Sequence, residues 1–286
     1  MSSLAARPTA RRLRFPKNGG LGWSGTALVM VLGLVVLVAI LAPLVSPYSP
    51  TATDVLNVSE GPSPSHLLGT DTLGRDILSR LIYGARLSLL GPLIVVVLST
   101  IGGTALSVSS VWIGGWYSVL VGRVLDLLFS VPSLLVAILA VAFFGAGLTA
   151  PVIALSLAYT PYAARIIQSV AARERNLPYI ESGELIGFSG WSICLKHLIP
   201  NVMSMIRSQA TISFGSALLD LAAVSFLGLG VQPPTAEWGL MVSEGEPALL
   251  DGQPSAALSP TLTILAVVIM VNLLGDRFDK RSRRLR

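Results

Sequence analysis

No charged residue occurs between Arg86 and Arg123. A helix needs roughly 20 apolar residues to cross a hydrocarbon core about 30 Å thick. The charge-free run exceeds one crossing, and Gly114-Gly115 supplies a break inside it. The reading is therefore one span at 88–112 and a second at 119–144, which starts with Arg123 and Asp126 and then stays uncharged. Trp23–Val45 is charge-free too and makes an earlier span. Gly145-Ala146-Gly147 reads as a tight turn, followed by a span ending near Ile167. Two more spans fall at 206–230 and 258–275. Six crossings give an all-α membrane protein. The mean hydropathy of +0.73 and a charged fraction of 12% agree, since soluble domains carry about 25% charged residues. Glycines and prolines within the spans, such as Gly91, Pro92, Gly103 and Pro161, suit helices that bend and pack closely.

Of the 20 basic residues, Arg7, Arg11, Arg12, Arg14 and Lys17 precede the first span. Arg165, Arg173, Arg175, Lys196 and Arg207 flank the fourth connection, and six more follow the last span. With six spans these three regions share one side, and the positive-inside rule makes that side cytoplasmic. The net charge of +5 is thereby a topology signal, and no nucleic-acid partner is expected. Arg11-Arg12 ahead of an apolar run is similar to a twin-arginine or secretory signal. The run is longer than a signal core and five spans follow, so it reads as a retained first span. The domain reading is a basic segment 1–22, a first span 23–45, an external segment 46–83, a core 84–276 and a basic tail 277–286.

Within the cytoplasmic connection, ESGELIGFSGWSICLKHLIPN (Glu181–Asn201) is polar and broken by glycine. Two short helices are expected. Asn176 would cap the first, with Pro178 in its first turn. Gly187 would terminate it in the left-handed conformation. Ser189 would cap a second helix, Trp191–Leu198, and Pro200 would open span five. Such a helix pair with apolar faces needs something to pack on. Elsewhere the chain has no Gly-Lys pair, hence no phosphate-cradling loop of the P-loop kind.

Glu181, Gly187 and Pro200 stand at the spacing of a cytoplasmic signature, Glu-Ala-Ala, three residues, Gly, nine residues, Ile-x-Leu-Pro. That signature belongs to the membrane subunits of ABC importers. Ser182-Gly183 replaces the two alanines, His197 the Ile, and Ile199 the Leu. Gly183 costs the first helix about 1 kcal/mol relative to Ala. Further stretches resemble the peptide/nickel subgroup of these permeases: LGTDTLGRDILSRLIYGARLSL (Leu68–Leu89), DLLFSVPSLLVAI (Asp126–Ile138), SFLGLGVQPPTAEWGLMVSEG (Ser225–Gly245) and NLLGD (Asn272–Asp276). The order of segments is similar to the "C"-type permease of oligopeptide and dipeptide systems.

The resemblance implies a type I importer permease with both termini cytoplasmic, multi-pass in a bacterial plasma (inner) membrane. It implies coupling through Glu181, Ser182, Gly183, Gly187, Phe188, Trp191, His197 and Pro200. It implies a second homologous permease, one or two cytoplasmic ABC ATPases, an extracytoplasmic binding protein and surrounding lipid. This chain would bind no cofactor, and the partner ATPases would use ATP and Mg. It would be no enzyme itself.

The residues left over are read on their own chemistry. Asp220 lies near the middle of span five, where an ionisable group faces protein or a water-filled cavity. It either lines the pathway or bonds a neighbouring helix. Asp126 either lines the pathway or pairs with Arg123 at i,i+3. From Asp71 the external segment fits an amphipathic helix with Leu73, Ile77, Leu81 and Ala85 on one side. Asp71, Arg75 and Asp76 would contact a binding protein or a gate, or the helix would simply lie at the interface. Glu237, with Trp238 as an interface anchor, belongs to an acidic outer loop of similar use. His66 and His197 fall on opposite sides, so no metal site is expected. The rival class, a secondary transporter or channel, would need paired ionisable groups at mid-membrane, with Asp220 and Asp126 as the relay.

Overall fold

The computed structural model describes residues 23–285. The basic segment 1–22, expected in the cytoplasm, lies outside the described residues. The helices are α1 (Trp23–Ile40), α2 (Ala42–Val45), α3 (Ile77–Ile113), α4 (Gly115–Phe129), α5 (Ser133–Phe144), α6 (Thr149–Arg175), α7 (Pro178–Leu185), α8 (Gly190–Ile193), α9 (Ile199–Phe226), α10 (Trp238–Leu250) and α11 (Ser255–Leu285). A single wide π-turn, Cys194–Leu198, joins α8 to α9.

Four of these are long and apolar enough to cross a membrane: α3, α6, the continuous run Gly190–Phe226, and α11 as far as Phe278. The pair α4 and α5 makes a further broken span, bent by 78°. Helix α1 is apolar but shorter. The break between α3 and α4 falls at Gly114, with φ of 68°, where the charge-free run was expected to divide. Leu262, Leu265, Ile269 and Leu273 stay exposed along α11, at the spacing of one helical face turned to lipid.

The core forms where α3, α6, α9 and α11 meet. At Gly103 the backbones of α3 and α6 approach so closely that a Cβ would lie 2.8 Å from Ala163 Cβ. The Ser107 hydroxyl seals that crossing by donating to Ala164 O at 2.6 Å. Gly215 of α9 opposes Asn272 of α11, leaving 3.0 Å between a built Cβ and Asn272 Oδ1. Small residues at helix crossings are how membrane helices gain van der Waals contact when lipid offers no hydrophobic contrast.

The connections gather at two ends. At one end lie the α3–α4 turn, α7 and α8. At the other lie residues 46–76, the turn before α6 and α10. Two expectations are corrected here. No separate amphipathic helix starts at Asp71: residues 71–76 are a turn, and α3 begins at Ile77 and runs unbroken into the membrane span. Leu73 is exposed while Ile77 and Ala85 are buried, so the expected apolar side does not form. Residues 238–250, expected as loop, form α10, packed on α9 and α11.

Candidate functional site

Between α6 and α9 the chain builds a small lobe. Asn176 caps nothing ahead of it; its amide donates back to Ala172 O at 3.0 Å, closing α6, and Leu177 takes the N-cap place of α7. Gly187 does terminate α7, with φ of +88°. Gly187 N donates to Glu184 O at 3.0 Å and Phe188 N to Gly183 O at 3.1 Å, the paired bonds of a Schellman ending. Ser189 Oγ then accepts from Ser192 N at 3.3 Å and starts α8. The π-turn has a physical cause. Pro200 lacks an N–H and its ring crowds the carbonyl four residues back. Ile199 N therefore reaches five residues back to Cys194 O. The second helix is thus not the uniform Trp191–Leu198 expected, and Pro200 sits inside the first turn of α9.

Of the expected coupling residues, Glu181, Ser182, Phe188, Trp191 and His197 are exposed on this lobe. Glu181 lies in the first turn of α7, where a carboxylate suits the helix dipole. His197 lies over Phe188 at 6.4 Å between ring centroids and near Tyr179 at 6.5 Å. Tyr179 in turn accepts from Asn201 Nδ2 at 2.8 Å. Leu185 and Ile186 add apolar surface at 83% and 73% exposure, and Trp191 at 76%. Gly183 is turned inward, 3.6 Å from Ile193 measured from a built Cβ. That gap holds an alanine, so Gly183→Ala should stabilise α7 by about 0.5–1 kcal/mol. The expected readout is a higher thermal midpoint of the purified protein, with transport unimpaired.

The loop also grips α3, through residues that sequence reading missed. A Cβ on Gly190 would lie 2.3 Å from Trp112 Nε1. Arg175 lies over the Trp112 ring at 4.4 Å and donates to Trp112 O at 2.6 Å and Val111 O at 3.2 Å. These are end carbonyls of α3, which a guanidinium satisfies well. Arg175 is also 4.0 Å from Glu184 of α7. An arginine ending one apolar helix and a tryptophan ending another were the only signal available.

At the opposite end, Asp71, Arg75, Asp76, Glu237 and Trp238 are all buried. Their side chains are turned into the protein rather than onto its outer face. Asp71 Oδ2 accepts from Arg75 Nε and Arg80 Nη1, each at 2.7 Å. Both arginines reach across to Glu244 Oε2 of α10, at 3.0 and 2.6 Å. Two cations and two anions make the cluster neutral, the condition for burying charge at tolerable cost. Burial pushes the Glu244 carboxyl above its ordinary range, while Arg75 pulls it back. Asp76 caps α3, accepting from Ser79 N at 2.7 Å, and its other oxygen meets His66 Nδ1 at 2.9 Å. Glu237 caps α10 through Gly239 N and Leu240 N and accepts from Ser88 Oγ at 2.8 Å. Trp238 Nε1 donates to Leu81 O at 3.0 Å. Of the outer acids, Glu246 and Asp251 are the exposed ones.

Within the spans, Asp220 accepts on one oxygen from Ser133 Oγ at 2.9 Å and Tyr159 OH at 3.1 Å. Less than two turns separate it from the end of α9 at Phe226. Asp126 pairs with Arg165 of α6 rather than with Arg123, and both partners are substantially exposed.

The described residues thus form a bundle of helices long and apolar enough to cross a membrane, with an exposed apolar lobe at one end and a largely buried ionic cluster at the other. Residues 99–284 match the family described as binding-protein-dependent transport system inner membrane component. The chain is 41% identical over 249 residues to a di/tripeptide transport system permease protein of Pseudomonas aeruginosa, covering 85% of this chain and 82% of that one. It is 37% identical over 241 residues to a dipeptide transport system permease protein of Alkalihalophilus pseudofirmus, covering 84% and 79%. It is 37% identical over 252 residues to a glutathione transport system permease protein of Escherichia coli strain 536, covering 88% and 82%. A chain of the MetNI methionine ABC transporter in an inward-facing conformation shares the fold, with a TM-score of 0.60 at 16% identity over 72% of this chain and 97% of that one. The chain belongs to this family, the inner-membrane permease subunits of ABC importers.

Proposed function

We propose that the chain is one of two permeases in an importer of short peptides, with six spans and both termini cytoplasmic. Helix α1 would be the sixth span. The relatives named above carry dipeptides, di- and tripeptides, and glutathione in their names, which supports peptide cargo. The observation that carries the mechanism is the lobe Glu181–Pro200. It places Leu185, Ile186, Phe188 and Trp191 in the open, at the end of the molecule flanked by the basic connection, which the positive-inside rule puts in the cytoplasm. An apolar patch of this kind outside the membrane marks a partner surface. The partner is a cytoplasmic ABC ATPase, which uses the ATP and Mg that this chain has no motif to hold. A second homologous permease completes the pathway, and a binding protein outside delivers cargo. Alternating access follows: ATP binding draws the ATPases together, the lobes move, and the pair opens outward; hydrolysis resets it.

The joint substitution Glu181→Lys with Gly187→Ala tests the assignment. It reverses the charge at the start of α7 and strains its end, at about 1 kcal/mol or more for the glycine site. Uptake should fall by about tenfold while membrane insertion and yield are unchanged. Full uptake in this variant would sink the coupling role. Co-purification of a Walker-motif ATPase and a second permease in mild detergent is the accompanying expectation.

A further inference from the structure

Asp220 is an intramembrane carboxylate without a counter-charge. Its hydrogen-bond donors are two neutral hydroxyls, Ser133 and Tyr159, both on the same oxygen. Among the described residues no Lys, Arg or His lies within ion-pair distance of it. The side chain is only partly buried. An ionised carboxylate has room for about four hydrogen bonds, so its second oxygen is free to accept. Ser133 and Tyr159 also line a cavity of about 300 Å³ at the break between α4 and α5, whose walls carry Tyr162, Ser213 and Ser216 as well. Ser216 and Tyr162 are exposed, as are Arg165 and Asp126 on the same helices that frame it. Charged and hydroxyl groups turned outward within spans are costly against lipid, so this face borders water or the companion permease.

We propose that Asp220 is the subsite that receives the terminal ammonium group of a peptide as it passes through the pathway, with Ser133 and Tyr159 positioning the carboxylate. This deepens the importer reading and rests on it. The two hydroxyls fix one oxygen and leave the other directed to a cation that is present only in transit. Neutral donors suit such a site, because a resident arginine would compete with the cargo. The subsite discriminates by charge and is indifferent to the side chains that follow, as a carrier of varied peptides requires.

The test uses the complete importer in lipid vesicles, with its ATPases, second permease and binding protein. ATP-driven uptake is measured for a dipeptide and for its N-acetylated form, each above its measured Kd for the binding protein. The unsubstituted complex should favour the free amine by about tenfold, the scale of one lost charge-assisted contact. Asp220→Asn should bring the two rates within about twofold by slowing the free amine alone. Equal slowing of both peptides would overturn the proposal in favour of a structural bond or of a cation supplied by the second permease. Retained discrimination in Asp220→Asn would overturn it too. Should that variant not assemble, Tyr159→Phe decides: it keeps the charge and removes one positioning donor, so discrimination should narrow without vanishing. No change, or equal loss for both peptides, then overturns the proposal. Absence of ATP-driven uptake by the unsubstituted complex would defeat the importer reading itself, and this inference with it.

Discussion

Arg80→Met should cost this protein about 3–5 kcal/mol, the range for removing one partner of a buried ion pair. The Arg80 side chain is 1% exposed and donates to both Asp71 and Glu244. Its loss leaves Arg75 alone between two carboxylates, with a net negative charge sealed between α3 and α10. The expected result is a sharp fall in the thermal midpoint of the purified protein and in its yield from the membrane. Glu244→Gln added to Arg80→Met restores neutrality and should recover more than half of the loss. That recovery separates a charge imbalance from simple loss of packing, which the second substitution would not repair. Undiminished stability of Arg80→Met would mean that the cluster does not hold the two helices together.

The same cluster shows why part of this fold was legible and part was not. Span positions came from where charge is absent, and a glycine pair inside a long uncharged run has one sensible role. The breaks at Gly114 and after Phe144 accordingly lie where they were expected. The C-terminal end of α7 and the start of α8 were legible because Gly187 and Ser189 act on neighbours three to five residues away, whereas the α7 start was misplaced because the Asn176 amide turns back to Ala172. The charges of Asp71, Arg75, Asp76 and Arg80 were visible as a helical spacing. Their partner Glu244, 164 residues from Arg80, was not, so a closed cluster read as an exposed face. Asp126 failed for the same reason: Arg123 is near in sequence, whereas Arg165 is brought in by the packing of α4 on α6. Local chemistry reports local structure; a buried polar group reports a partner without naming it.

These distant contacts also join the two ends of the molecule. Helix α3 spans from the ionic cap at Arg80 to Trp112 beside the lobe, and it is one unbroken helix of 37 residues. Packing against α6 limits how far α3 can yield, and Pro92 inside it is the point where it would bend. On the coupling proposed above, movement of α7 and α8 would be felt at α10, where Glu244 meets the start of α3. The grip at Trp112 is therefore where coupling should be most sensitive.

Gly190→Leu should abolish productive coupling. A Cβ at Gly190 would stand 2.3 Å from Trp112 Nε1 and 2.6 Å from Cε2, so either the indole leaves or α8 lifts away from α3. The indole is not free to leave cheaply, since Arg175 lies on it and is tied to the α3 carbonyls. Overpacking of this kind costs typically about 1–3 kcal/mol, too little to unfold a bundle held by four long helices but enough to detach the lobe. The expected outcome is ATP hydrolysis that continues in the assembled complex while uptake per ATP falls by about a hundredfold. Adding Trp112→Ala to Gly190→Leu makes room for the new side chain and lets α8 settle back. The double variant should regain part of the uptake and remain below the unsubstituted protein, because the contact itself is gone. Uptake per ATP that is normal in Gly190→Leu would show that force reaches the spans by another route, through the π-turn directly into α9.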